Sequence, residues 1–148
     1  MNTAGACHVT EVTPSDAYEI LKDPDAVLVD VRTNAEWALV GTPDLGALDK
    51  QVMLVEWLGF PDMATNPDFA GQLFSRFGEN FPEKILFICR SGARSRDAAT
   101  HVTNTLGEIG RTAECINVAE GFEGDLDQER HRGKLNGWKK RNLPWRQS

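Results

Sequence analysis

Ile85-Leu86-Phe87-Ile88-Cys89-Arg90-Ser91-Gly92-Ala93-Arg94-Ser95 decides how the rest of the chain is read. Four apolar residues lead into a cysteine and a short loop of two arginines, two serines and a glycine. An apolar run of this length reads as a strand buried on both faces. Beyond the loop, Ala98, Ala99, Val102, Leu106 and Ile109 recur at helical spacing. The cysteine therefore falls where a buried strand turns into a helix. In an open α/β sheet, ligands bind outside the carboxyl ends of the strands. Unpaired loop amides and the positive end of the helix dipole favour an anion there.

The chemistry follows from that setting. The thiolate is the reactive form of cysteine, and helix N-termini and nearby arginines favour it. Arg90, Arg94 and Arg96 are at hand. Cys89 reads as a nucleophilic thiolate in an anion-binding loop. The blander alternative is a buried cysteine that fills the end of a core strand. It leaves Ser-Gly-Ala-Arg-Ser unexplained.

Cys89-Arg90-Ser91-Gly92-Ala93-Arg94-Ser95 resembles the active-site loop of rhodanese-type sulfurtransferases. The resemblance extends upstream to Asp30-Val31-Arg32 and Glu36-Trp37. Downstream it takes in Asn117-Val118, Gly121-Phe122 and Leu143-Pro144-Trp145. It implies one rhodanese-like domain over residues 9–145, a three-layer sandwich with a mostly parallel central sheet and helices on both faces. It also implies Cys89 as the catalytic residue and Arg90, Ser91, Gly92, Ala93, Arg94 and Ser95 as the substrate-binding loop. Asp30, Arg32 and Glu36 are then supports that fix the loop. One stretch departs from the family. Where members often carry Gly-His-Ile-Pro-Gly-Ala, this chain reads Gly41-Thr42-Pro43-Asp44-Leu45-Gly46-Ala47, without the histidine.

Composition sets the bounds. A chain of 148 residues suffices for one domain with a real core. Its 41% hydrophobic and 26% charged content is ordinary for a soluble protein. No stretch approaches the roughly 20 apolar residues of a membrane span, and residues 1–10 lack the basic and apolar regions of a secretory signal. Cys7, Cys89 and Cys115 are too few and too scattered for a disulfide framework or a zinc site, so a reducing, cytoplasmic location is the expectation. The net charge of −6 is unevenly spread. Residues 1–83 hold 14 acids and 4 bases, whereas residues 128–148 hold 1 acid and 7 bases. The acidic body argues against nucleic-acid binding. The basic end reads as a solvated terminal segment, although Trp138 and Trp145 indicate that it docks on the domain.

Taken in order, Thr13-Pro14-Ser15-Asp16 starts a first helix, with Thr13 as cap and Asp16 reaching back as in a capping box. Ala26 to Val31 is a second buried strand, with Asp30 and Arg32 at its carboxyl end. Arg32 and Glu36 would pair if a helix begins near Asn34. Val52 to Val55 reads as a third strand. Trp57, Phe60 and Phe122 are candidates for the wall of a pocket above Cys89, with core packing as the alternative for the Trp57–Met63 connection. Asn66 and Pro67 predict a cap and first position for another helix, with Phe69, Leu73, Phe74 and Phe77 on its apolar face. Thr112 to Val118 is the last strand, and Cys115 belongs to its core. None of His8, His101 and His131 is placed as an obvious general base.

Two reactions use a thiolate in such a loop: phosphate-ester hydrolysis through a phosphocysteine, and transfer of a sulfane sulfur through a persulfide. Phosphatases of this kind resemble Cys-x5-Arg. Here Cys89 and Arg94 are spaced Cys-x4-Arg, and Ser95 holds the phosphatase arginine position. A loop one residue shorter suits a single sulfur atom. The expectation is a sulfurtransferase moving sulfur from thiosulfate or a persulfide to cyanide or a thiol, a protein acceptor included, with no cofactor, metal, nucleic acid or membrane involved. A phosphatase or arsenate reductase of the same fold, and a non-catalytic binding domain, are the alternatives.

Overall fold

In the computed structural model, residues 9–59 and 61–147 are described. The elements run β1 (Thr10–Val12), α1 (Pro14–Ile20), β2 (Ala26–Asp30), α2 (Asn34–Val40), β3 (Thr42–Pro43), β4 (Met53–Leu54), β5 (Leu58–Gly59) and β6 (Ala64–Thr65). They continue with α3 (Phe69–Phe77), β7 (Lys84–Ile88), α4 (Ala93–Glu108), β8 (Glu114–Val118) and β9 (Trp145–Arg146). The main sheet is parallel throughout in the order β1-β8-β7-β2-β4, so the strand leading to Cys89 lies at its centre.

Period-two alternation along these strands divides the apolar residues between two cores. Val29, Val31, Ile85, Phe87, Cys89 and Cys115 face the side covered by α3 and α4. Leu28, Leu86, Ile88, Ile116 and Val118 face the opposite side, where Ala17 and Leu21 from the α1 region and Trp138 from the tail cover them. The result is the expected three-layer arrangement, with helices on both faces of the sheet. Among the described residues no helix is long and apolar enough to cross a membrane.

Thr13 caps α1 by accepting the Asp16 N–H at 3.2 Å, with Pro14 at the first position. The reciprocal box forms instead at α2, where Thr33 accepts the Glu36 N–H and Glu36 accepts the Thr33 N–H. Three local expectations are corrected. The third strand is shorter than Val52 to Val55, because only Met53 and Leu54 pair with β2 at the sheet edge. The Asn66 start is two residues early: its side chain accepts the Asp68 N–H in a local turn, and α3 begins at Phe69. Arg32 and Glu36 do not pair, because Arg32 precedes the Thr33 cap and so lies off the helix whose face it would share.

The tail folds back onto the body. Trp138 is wholly buried, stands edge-on to Tyr18 at 5.9 Å, and donates its indole N–H to Pro144 O at 2.7 Å. β9 pairs antiparallel with β3, so the chain end closes over the turn where the family's histidine is missing.

Candidate active site

Cys89 follows directly on β7, and strand alternation turns it toward α4. It is 1% exposed. Gly92 and Ser95 donate backbone N–H groups to its Sγ at 3.1 and 3.3 Å, and the Ser95 hydroxyl lies 3.2 Å away. Ser95 is the third residue of α4, and no side-chain oxygen caps that helix. The sulfur occupies the place an oxygen holds at an ordinary N-cap, and the orphan amides of the first turn favour negative charge on it. Gly92 makes the turn possible at φ 113°, a region closed to most side chains.

The loop presents its amides inward because its carbonyls are held from outside. Cys89 O accepts the Phe122 N–H at 2.8 Å, and Arg90 O accepts those of Glu123 and Gly124 at 3.0 and 3.2 Å. This turn needs a glycine at position 121. Gly121 has φ 68°, and a Cβ there would sit 2.5 Å from the carbonyl carbon and oxygen of Arg90.

Ser95 Oγ has one proton and three acceptors: Asn117 Oδ1 at 2.5 Å, Cys89 Sγ at 3.2 Å and Gly92 O at 3.2 Å. Buried Asn117 is oriented by its other end, where Nδ2 donates to Glu11 Oε1 at 3.0 Å and Gly92 O at 3.1 Å. The hydroxyl can thus rest on Asn117 or turn to the sulfur, and a full charge on sulfur draws it there. Sequence reading quoted Asn117 without giving it a role and missed Glu11, which reaches the site only because β1 pairs with β8.

Asp30 and Arg32 form a buried ion pair at the carboxyl end of β2. Arg32 donates Nε and Nη2 to the Asp30 carboxylate at 2.9 and 2.7 Å and gives Nη2 to Gly41 O at 2.7 Å. Its guanidinium stands 4.3 Å over the Phe122 ring. The buried pair therefore supports the turn that carries Phe122, and through it Cys89 O. Phe122 is wholly buried there and is not part of the wall above the sulfur.

Arg94 and Glu36 form two parallel hydrogen bonds of 2.8 Å. Burial opposes ionisation of Glu36, yet Arg94 and the Thr33 groups hold its carboxyl at about 2. The same pairing raises Arg94. An arginine expected to bind substrate charge is thereby neutralised within the protein.

An open cavity of about 680 Å³ lies before the sulfur. Arg90, Arg94, Glu36, Glu123 and Arg132 give it charge; Ser91, Ala93, Val40 and Met63 complete much of its wall. Trp57 is elsewhere, edge-on to Phe69 at 5.3 Å and 5.4 Å from the His101 ring, partly buried against the core beneath α4. Its place is core packing, the alternative weighed for that connection. Phe60 lies outside the described residues, as do Cys7 and His8. Cys115 is buried, and burial pushes its thiol up, away from reactivity.

A cysteine at the carboxyl end of the central parallel strand, under the amides of the next helix, defines an α/β protein with a thiol seated in an amide-lined loop. The rhodanese-like domain model matches residues 13–127, and the chain belongs to that family. It is 43% identical to Rv0390 from M. tuberculosis, whose crystal structure it matches with a TM-score of 0.81 over 95% of this chain and 99% of that one. An uncharacterized protein of Rickettsia conorii is 38% identical over 93% of this chain and 97% of its own length. An As-Sb reductase from Leishmania major shares the fold at 15% identity, with a TM-score of 0.54 over 84% of this chain and 92% of that one.

Proposed function

We propose that this protein is a sulfurtransferase that carries a sulfane sulfur on Cys89. The observation that carries the reading is where the donors converge. The Gly92 and Ser95 amides and the Ser95 hydroxyl lie within 3.1–3.3 Å of Sγ itself. The short Cys-x4-Arg loop closes on one atom, and its arginine is occupied by Glu36 and so is not presented as a phosphoryl clamp.

In the first half-reaction the Cys89 thiolate attacks the outer sulfur of thiosulfate or a persulfide. An Sγ–S bond forms, the donor's S–S bond breaks, and its electron pair leaves with sulfite or the donor thiolate. Thiolate attack needs no general base. In the second half-reaction cyanide or a thiol attacks the outer sulfur, the Sγ–S bond breaks, and the thiolate returns to Sγ. The loop amides and the Ser95 hydroxyl stabilise that charge each time it forms. Electrons balance within the two substrates, so no redox partner or cofactor enters. The free thiols Cys89 and Cys115 suit a reducing compartment such as the cytoplasm.

Intact-mass analysis tests the reading. After thiosulfate, or separately after a small-molecule persulfide, the protein should gain the mass of one sulfur atom on Cys89 and lose it to cyanide. No gain with either donor, or turnover of an aryl phosphate or arsenate at a comparable rate, would sink the proposal.

A further inference from the structure

Five acidic or basic side chains line the cavity before Cys89, and they differ in what they have left to offer. Glu36 and Arg94 cancel each other through two 2.8 Å hydrogen bonds. Glu123 forms no ion pair among the described residues and offsets part of the positive charge at this mouth; it also favours the Lys139 ammonium, which burial pushes down. Arg90 is exposed and has no ion-pair partner among the described residues. Arg132 is half-buried, its Nη1 donates to Gly124 O at 2.8 Å, and no carboxylate pairs with it among the described residues. One carbonyl engages one of the five N–H groups of a guanidinium and leaves its charge intact.

Arg132 is also built into its place. Gly124, whose carbonyl holds it, donates its own N–H to Arg90 O at 3.2 Å, so two hydrogen bonds join Arg132 to the Cys89 loop. The segment between is folded back on itself. Asn136 accepts the Asp125 N–H at 2.9 Å, and Asp127 donates its N–H to His131 O at 2.9 Å. Residue 132 lies beyond residues 13–127, the span matched by the family model.

We propose that Arg132, acting with Arg90, is the positioning residue that selects anionic sulfur donors, a role for which Arg94 is not available. This inference rests on the sulfurtransferase reading. Two guanidinium groups facing one mouth favour a compact dianion such as thiosulfate over a persulfide of lower charge, through charge and paired N–H groups. Arg132 does not act on the sulfur; it raises the occupancy of the donor in front of it.

The experiment compares Arg132→Gln, Arg132→Lys and the control Lys134→Gln, an exposed neighbour with the same loss of charge. The first readout is the ratio of Cys89 alkylation rates with iodoacetate and iodoacetamide, which needs no sulfur transfer. Arg132→Gln should lower this ratio roughly three- to tenfold, as expected for removing one partly screened charge, and Lys134→Gln should leave it unchanged. The second readout is steady-state kinetics: Arg132→Gln should raise KM for thiosulfate by a similar factor, with kcat nearly constant and KM for a persulfide of lower charge changed less. An unchanged ratio, or an equal fall in Lys134→Gln, overturns the proposal. If Arg132→Gln disturbs folding, Arg132→Lys decides, since it keeps the charge and should keep most of the ratio; a full loss there also overturns it. An Arg132-dependent ratio in a protein without sulfur transfer supports the anion site and removes the sulfurtransferase reading. Transfer with an unchanged ratio and KM in Arg132→Gln does the reverse.

Discussion

The sulfur of Cys89 does two jobs at once: it is the proposed nucleophile, and it closes the first turn of α4. A serine oxygen accepts amide hydrogen bonds as well as sulfur does, so Cys89→Ser should melt within a few degrees of the native protein while losing persulfide formation entirely. Retained turnover in that variant would move the chemistry to another residue. Ser95 separates the two jobs. Ser95→Ala removes the hydroxyl and leaves the backbone amide in place. It should slow Cys89 alkylation at mildly acidic pH and reduce transfer by roughly tenfold, the scale of losing one hydrogen bond to a charged atom. Equal rates in Ser95→Ala and native protein would show that the hydroxyl stays on Asn117 throughout.

Among the elements, the contact that matters most to the site joins α2 to α4 through Glu36 and Arg94. Both side chains are more than four-fifths buried. Glu36 ionises near 4.5 in the unfolded chain and at about 2 in the fold. A lowered carboxyl contributes stability above the unfolded value and loses it as pH falls toward the folded one. The contribution is on the order of 3 kcal/mol at neutral pH. Urea midpoints should therefore drop between pH 4.5 and 2 in the native protein, with a shallower slope in Glu36→Gln over the same window; parallel slopes would deny the pair that role.

That contact marks the limit of what the sequence shows. The strand to Cys89, the helix after it and the alternation that splits Val29 from Leu28 are local patterns, and the parallel sheet follows from them. Thr33-x-x-Glu36 was a visible capping signature that went unused. The pairings of Glu36 with Arg94 and of Asn117 with Glu11 span 58 and 106 residues, and no local pattern encodes them. Arg32 showed the opposite error, since helical spacing suggested Glu36 while the strand's end delivered it to Asp30. Arg132 lay in the basic end that read as a solvated segment, and only the folded turn brings it to the cavity.

At the scale of the whole molecule, the question is what holds the basic tail to an acidic body. Trp138 is fully buried between Tyr18 and the turn at Gly121, whose carbonyl accepts the Trp138 backbone N–H at 2.8 Å. Trp145 is 38% exposed, but it stands edge-on to Phe122 and lies 4.0 Å from the Lys139 ammonium. Removing a buried tryptophan side chain costs roughly 3–5 kcal/mol. The Arg141–Glu120 pair is partly exposed, and water screens such a pair so that it contributes little. Apolar burial therefore outweighs charge, and the melting temperature should follow it. Deleting residues 136–148 should lower melting by roughly 10 °C, at about 2–4 °C per kcal/mol for a chain of this size. Trp138→Ala should reproduce most of that loss, and Trp145→Ala much less. High salt should shift the native protein by only a degree or two, since it screens the pairs and leaves the tryptophan in place. The same deletion removes the backbone that steadies the Phe122 turn, so the loop around Cys89 should loosen with it. Hydrogen exchange at the Gly92 and Ser95 amides should then quicken in the truncated protein. A truncated protein with native melting and native protection at those amides would make the tail a free arm, and its charge would then have to be explained by a partner.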